Sequence, residues 1–286
     1  MHNDPVIFIF DLDNTLIGNS QSLLDYQALI MFIDNACKSG KIPKNICQKY
    51  KSNTNIKHLL TDSFYRPGIK DGLYKLKQLY PTAELFIYSA GTEKYVKEFV
   101  AYFEEYTGVH FNRPLFTRNE CIVKEDNNRG KSIIQQWPKI INTLKYKYKN
   151  VKWNNILENR LIFIDDSNVI WDKPEKRIIC PQYSYQIIFD SMKNIPYKIK
   201  NLQIVKDYQT TANIGFVLPN DISIDEQYMQ YHVYMADYYR SWIEYNKTQL
   251  QDSFIINFIN AIKPYKNLKK PFSNANVAKI NKAITV

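Results

Sequence analysis

Histidine and glycine are scarce in this chain of 286 residues, at four and eight respectively. No stretch approaches the ~20 consecutive apolar residues a membrane-spanning helix needs. The first residues also lack the basic-then-apolar pattern of a secretory signal, so the cytosol, the nucleus or a virus particle are the expected locations. The four cysteines (Cys37, Cys47, Cys121 and Cys180) form no CxxC pair. Reduced, mostly buried thiols are therefore expected rather than zinc ligands or disulfides. His2, His58, His110 and His232 share no metal-ligand spacing. Any metal should then be a hard, oxygen-bound cation such as magnesium. Acidic residues are also in deficit, 28 against 38 Lys and Arg, for a formal net charge of +10. That excess favours an anionic partner such as a phosphoprotein, a nucleic acid or an acidic surface.

What is present is a globular balance, 45% hydrophobic and 23% charged, with enough chain for one large domain or a domain plus an appendage. The most informative stretch is Val6–Phe10, an apolar run that stops abruptly at Asp11-Leu12-Asp13-Asn14-Thr15-Leu16. Side chains alternate faces along a strand, so Asp11 and Asp13 leave the strand end on one side. Two neighbouring carboxylates repel and resist desolvation unless a cation lies between them or one of them does chemistry. Alone, the pair also fits a plain strand end followed by an Asx-type turn.

Three further apolar runs look like buried strands: Glu84–Tyr88, Leu161–Ile164 and a weaker Arg177–Cys180. The first two end at Ser89-Ala90-Gly91 and at Asp165-Asp166-Ser167. Helical spacing fills the gaps, over Ile69–Leu79 after a turn at Arg66-Pro67-Gly68, and over Thr92–Tyr106 with Thr92 as N-cap. This alternation predicts an α/β fold, a doubly wound parallel sheet. Ligands bind beyond the C-terminal strand ends of such sheets, where Asp11, Asp13, Ser89, Asp165 and Asp166 all fall.

A mainly helical insertion, residues 18–62, follows the first strand and is expected to be either a cap over the site or a surface elaboration. A second insertion, Gln135–Glu158, carries Lys145-Tyr146-Lys147-Tyr148-Lys149, which suits an exposed strand or helix face. Such a face could contact nucleic acid or a phosphopeptide, or simply be solvated. Residues 1–195 are expected to form the main domain and 196–286 a helical, aromatic-rich extension. Within it, Asp225–Asn246 reads as a long helix with Tyr228, Tyr231, Tyr234, Tyr238 and Trp242 on one face, docking onto the core or onto another protein subunit. A second helical pattern runs over Ser253–Ile262, and Lys263–Val286 as a loose basic tail.

Asp11-Leu12-Asp13-Asn14-Thr15-Leu16, Ser89 after a strand, a downstream lysine and Asp165-Asp166 after another strand resemble the four ordered motifs of the haloacid dehalogenase (HAD) superfamily. Arg66-Pro67-Gly68-Ile69, Leu115-Phe116-Thr117-Arg118-Asn119-Glu120-Cys121 and Ile164-Asp165-Asp166-Ser167-Asn168-Val169-Ile170-Trp171 resemble the FCP/SCP-like branch, phosphatases of the RNA polymerase II C-terminal domain. The likeness covers roughly residues 5 to 190.

The resemblance implies a HAD-like sheet and a Mg2+-dependent phosphomonoester hydrolase. Asp11 would be the nucleophile that forms an aspartyl-phosphate, and Asp13 the general acid and base. Ser89 and the backbone N–H groups of Ala90 and Gly91 would hold phosphoryl oxygens, with Thr15 also in the substrate site. Mg2+ would be bound by Asp11, the backbone carbonyl of Asp13 and the Asp165/Asp166 pair, with Asp166 the direct ligand. A lysine must neutralise the transferring group. Family spacing, nine or ten residues after the Cys121 position, selects Lys131; Lys124 is the alternative.

The long helical segment after the first motif and the 34-residue step from Lys131 to Asp165 depart from that branch. They leave the substrate less defined than the chemistry. A phosphoserine or phosphothreonine protein, either a polymerase tail or a basic packaging protein, is the expected substrate. A small-molecule or nucleic-acid-end phosphatase is the enzymatic alternative. A likeness to the baculovirus 38K-type nucleocapsid proteins implies a structural, assembly-linked alternative and a place in the virion nucleocapsid.

Overall fold

In the computed structural model, which describes residues 4–48, 55–123, 129–188, 195–200, 202–211 and 240–284, the apolar run Val6–Phe10 forms β1 with all five side chains buried. Burial on both faces is what an unbroken Val/Ile/Phe run requires, and a parallel sheet covered by helices supplies it. The strands β1, β2 (Ala83–Ile87), β5 (Leu161–Asp165) and β6 (Arg177–Ile179) form one sheet in the order β2-β1-β5-β6, all parallel. Ile9 pairs with Phe86 on one side and Phe163 on the other. The C-terminal ends of the two central strands and of β2 are therefore adjacent. A separate two-stranded ribbon joins β3 (Ile122–Val123) to β4 (Arg129–Gly130).

Contacts divide the chain into two compact units. The first comprises Met1–Ile17, Tyr65–Tyr183 and Asp252–Val286, and the second Gly18–Phe64 and Ser184–Gln251. This grouping is not a single cut at residue 195, because the chain leaves the sheet-bearing unit after Ile17, returns at Tyr65, leaves again after Tyr183 and comes back at Asp252.

The second unit contains α1 (Ser20–Lys38), capped by the Asn19 side chain accepting from the Ser22 N–H at 3.2 Å. The short helices α2 (Lys44–Cys47) and α3 (Ile56–Leu59) follow. The apolar face of α1 (Leu29, Ile30, Ile33) packs on Ile195, Ile199 and Val205 of a much later segment. Cys37 and Cys47 are joined by a disulfide, so the expectation of four reduced thiols holds only for Cys121 and Cys180. The cause is local. The chain reverses after α1 through Gly40 (φ 74°) and hydrogen-bonds Ile42 N–H to Ala36 O, which brings the two Cα atoms to 5.8 Å.

In the sheet-bearing unit, α4 (Ile69–Leu79) and α5 (Glu93–Thr107) lie where the helical spacing put them. Thr92 occupies the N-cap position of α5, but its side chain makes no capping bond. The helices α6 (Ile133–Leu144) and α7 (Trp153–Asn159) bury Trp137, Ile140, Leu144 and Ile156 in one core with Ile7, Ile9 and Phe163. Lys145–Lys149 is neither strand nor helix face but a turn between them. It is shaped by a buried carboxylate: Glu84 Oε1 accepts from Lys147 Nζ at 2.6 Å and from the Tyr148 hydroxyl at 2.5 Å.

The C-terminal segments follow. The helices α8 (Tyr197–Lys200) and α9 (Gln203–Thr211) belong to the second unit. Of the expected aromatic helix, Tyr228, Tyr231, Tyr234 and Tyr238 lie outside the described residues, whereas residues 240–250 are helical and Trp242 packs on the α1 core. The expected helix over Ser253–Ile262 is α10 (Phe254–Ile262). The expected loose tail is instead α11 (Asn274–Ile284). It buries Val277 and Ile280, and its Asn281 amide bonds the backbone of edge strand β6 at Ile179 N and Arg177 O. Three apolar residues dispersed among lysines look polar in sequence, yet at helical spacing they are enough to cover one edge of a sheet. Among the described residues, no helix is long and apolar enough to cross a membrane.

One buried carboxylate predicts an acid-sensitive fold. Glu104 accepts the Arg113 guanidinium on both oxygens at 2.9 Å and the Phe111 N–H at 2.8 Å. Burial works against its charge, but these donors outweigh burial and hold its pKa below the ordinary value. A depressed folded pKa gives stability that is present above the unfolded value (~4.3) and lost as pH falls through the folded one. Glu104→Gln is therefore expected to flatten the fall of the urea midpoint between about pH 5 and pH 3.

Candidate active site

The turn after β1 is built by Leu12 O accepting from Leu16 N–H (2.9 Å) and Ile17 N–H (3.2 Å), with Asn14 at φ 55°. Asn tolerates this left-handed backbone better than most residues. The turn leaves Asp11 buried at the strand end and Asp13 half-buried beyond it.

Lys131, directly after β4, reaches Asp11 at the end of β1. Its Nζ donates to Asp11 Oδ1 at 2.5 Å and to Asp165 Oδ2 at 2.7 Å, and all three side chains are at most 8% exposed. The other oxygen of Asp165 accepts from Ser167 N–H at 2.7 Å and from its hydroxyl at 2.6 Å. Thr15 links the first and last motifs: its hydroxyl donates to Asp166 Oδ1 at 3.1 Å and accepts the Asp166 N–H at 3.2 Å.

Ser89 is buried after β2, and its Oγ accepts the Gly91 N–H at 3.0 Å. The Gly91 N–H, expected to meet a phosphoryl oxygen, is thus engaged inside the loop. Accepting there leaves the Ser89 hydroxyl able to donate its own proton. Ala90 is exposed, and its carbonyl accepts from Arg118 Nε at 2.8 Å. Lys124 lies outside the described residues.

Lys131 is set by the segment that follows β5. Its N–H donates to Val169 O at 2.7 Å, and its carbonyl accepts the Trp171 N–H at 3.1 Å. Asp172 accepts from the Ser132 hydroxyl and from the N–H groups of Ile133 and Ile134 at 3.0 Å, capping α6. Trp171 packs flush on Gly130, where an added Cβ would fall 1.9 Å from the indole. Gly130→Ala is expected to cost about 1–3 kcal/mol of stability by overpacking. It should also lower any turnover that depends on Lys131, a combination that a urea titration and a rate assay would check.

Sequence reasoning missed three supports of this site. Asp172 and Tyr95 carried no signal; Tyr95 is one of 22 tyrosines, and its hydroxyl donates to Asp13 Oδ1. Arg66 was visible as part of a turn and of a branch-like segment, with nothing to mark it as buried or paired. Its buried guanidinium donates to Thr15 O (3.0 Å), Pro181 O (2.7 Å) and both oxygens of Asp252 (3.0 and 2.7 Å), which ties the first-motif turn to the end of β6.

Burial first, then the neighbouring Asp165 and Asp13 charges, push the Asp11 carboxyl well above its ordinary pKa against the pull of Lys131. Asp166 is raised by burial and by Asp165. Burial opposes the Lys131 charge, but Asp11 and Asp165 outweigh it and hold the ammonium protonated. Asp11, Asp165 and Asp166 offer carboxylate oxygens all within 4.8 Å of one another. Among the described residues, these three carboxylates against the Lys131 ammonium leave an excess of negative charge with oxygen donors only, which fits a hard divalent cation. The Asp13 side chain is not in that group, so its expected share is confined to its backbone carbonyl. Beyond the Ser89 loop, a cleft of about 460 Å3 is lined by Glu93, Lys97, Arg113, Pro114, Thr117 and Glu120.

Residues 6–202 match the family model of NLI interacting factor-like phosphatases. Among solved structures, one titled as Fcp1, an essential RNA polymerase II CTD phosphatase, is similar at 14% identity and a TM-score of 0.37, over 97% of this chain and 70% of that one. A fission yeast Fcp1 variant bound to beryllium fluoride is similar at 15% identity and a TM-score of 0.35, over 99% of this chain and 62% of that one. Among curated proteins, no sequence matches the chain.

Proposed function

The chain belongs to the family of NLI interacting factor-like phosphatases, and from that premise we propose a Mg2+-dependent phosphomonoester hydrolase that works through an aspartyl-phosphate on Asp11. The observation that carries this reading is the single Lys131 ammonium bridging Asp11 and Asp165 beside Asp166. A buried carboxylate held against a fixed cation at a strand end is arranged to attack phosphorus rather than to pack.

Asp11 forms the bond to phosphorus while the ester oxygen departs. Lys131 holds Asp11 and the charge spread over the phosphoryl oxygens. Asp13 gives its proton to the leaving alkoxide and later takes one from the water that cleaves the aspartyl-phosphate. Ser89 donates its hydroxyl to a phosphoryl oxygen, and Thr15 keeps Asp166 in place. Asp11, Asp165, Asp166 and the Asp13 carbonyl would hold the cation, which when bound polarises the phosphoryl group and screens the carboxylates.

The substrate class we infer is phosphoserine or phosphothreonine in proteins, a polymerase tail or a basic packaging protein among them. The branch-like segments at Arg66-Pro67-Gly68, Leu115–Cys121 and Ile164–Trp171 support it, as does the net charge of +10, which favours an acidic, phosphorylated chain. Turnover of a phosphoserine peptide and of small phosphate esters, each with and without Mg2+, tests the reading. Mg2+-dependent peptide turnover is expected. Turnover of small esters but never of peptides would overturn the substrate class and leave the chemistry standing.

A further inference from the structure

Tyr95, in the first turn of α5, does something the motifs do not describe. Its hydroxyl donates to Asp13 Oδ1. Its ring lies against Phe99, with centroids 4.5 Å apart, and directly over Gly91. A Cβ at position 91 would fall 2.5 Å from Tyr95 Cδ1 and 2.9 Å from Cε1. Gly91 therefore serves as a notch for this ring as well as supplying the N–H that orients Ser89. One tyrosine thereby connects the loop that holds Ser89 to the carboxyl of Asp13, from a different element of the fold.

We propose that Tyr95 is a positioning residue for the leaving-group side of the reaction. By fixing Asp13 Oδ1, its phenol sets the plane of the carboxyl and so the direction in which Oδ2 can deliver a proton. This rests on the reading of Asp13 as the general acid. In that step the Asp11–phosphorus bond forms and the phosphorus–oxygen ester bond breaks. The ester oxygen leaves with the bonding pair and takes the proton from Asp13, which becomes carboxylate. A serine alkoxide is a poor leaving group and needs that proton. A nitrophenolate is a good one and hardly does.

The test is leaving-group dependence, which a general loss of structure would not alter. Tyr95→Phe keeps the ring in its notch and removes only the hydroxyl. It is expected to lower the single-turnover rate of phosphoenzyme formation from a phosphoserine peptide, the step in which the leaving group departs, by about 10- to 100-fold, less than the whole of the roughly 10²- to 10⁴-fold worth of general acid catalysis because Asp13 itself remains. On p-nitrophenyl phosphate the loss should be about threefold or less, with an unchanged thermal midpoint. In that same step Asp13→Asn should show the selectivity more strongly, although its steady-state turnover falls on both substrates because Asp13 also serves hydrolysis, and adding Tyr95→Phe to Asp13→Asn should cost phosphoenzyme formation nothing further. Equal losses on the two substrates for Tyr95→Phe, or a change confined to KM, would overturn the proposal while a selective Asp13→Asn leaves the catalytic reading intact. Equal losses for Asp13→Asn in that step would overturn the general-acid reading and this inference together.

Discussion

Lys131→Ala is expected to lower kcat by about 10²- to 10³-fold, the scale on which a preorganised positive group acts on developing charge. It is also expected to cost stability. With the ammonium gone, Asp11 and Asp165 face each other buried and uncompensated, and breaking such a pair costs about 3–5 kcal/mol. The two effects should respond differently to Mg2+. A cation among Asp11, Asp165 and Asp166 would restore much of the lost stability without restoring the ammonium's hold on the phosphoryl group. Thermal unfolding with and without Mg2+, beside single-turnover kinetics, separates them. Lys131→Arg should not rescue the rate, because the planar guanidinium cannot replace a point charge shared between two carboxylates. If Lys124→Ala abolished turnover and Lys131→Ala spared it, the lysine assignment would be reversed.

Asp11→Asn is expected to reduce turnover on the order of 10⁴-fold or more, as removal of a covalent nucleophile does. Its effect on stability should have the opposite sign to that of Lys131→Ala. Burial, Asp165 and Asp13 together penalise the Asp11 charge more than Lys131 favours it, so an isosteric amide removes a charge that the site disfavours. The variant should unfold at the same temperature as the native chain or above it. An inactive protein that is at least as stable identifies a residue kept for chemistry at the expense of packing.

The site was legible where one strong constraint acts alone. Val6–Phe10 and Leu161–Ile164 had to be buried strands, because nothing else accommodates unbroken apolar runs of that length between turn residues. The carboxylates at their ends then had to meet. Lys131 was reachable only through the spacing of the family motifs, since no periodicity marks a lysine as buried. Tyr95 and Asp172 were not legible at all, because each acts through side-chain hydrogen bonds to residues more than thirty positions away. The partner of the α1 face was hidden for a related reason. Periodicity shows that Leu29, Ile30 and Ile33 need cover, but not that Ile195, Ile199 and Val205 provide it. The Cys37–Cys47 bridge depends on a chain reversal at Gly40, which no cysteine spacing announces. The tail was misread because Val277, Ile280 and Ile284 are few, though each lies one helical turn from the next.

The most direct measurement is covalent trapping. The protein is mixed with a phosphoserine peptide carrying labelled phosphate and Mg2+, quenched in acid, digested and sequenced by mass spectrometry. The label is expected on the peptide that contains Asp11, absent from Asp11→Asn, and chased away by excess unlabelled substrate. Turnover without any labelled protein, or label on a residue other than Asp11, would contradict the aspartyl-phosphate and with it the assignment of the site.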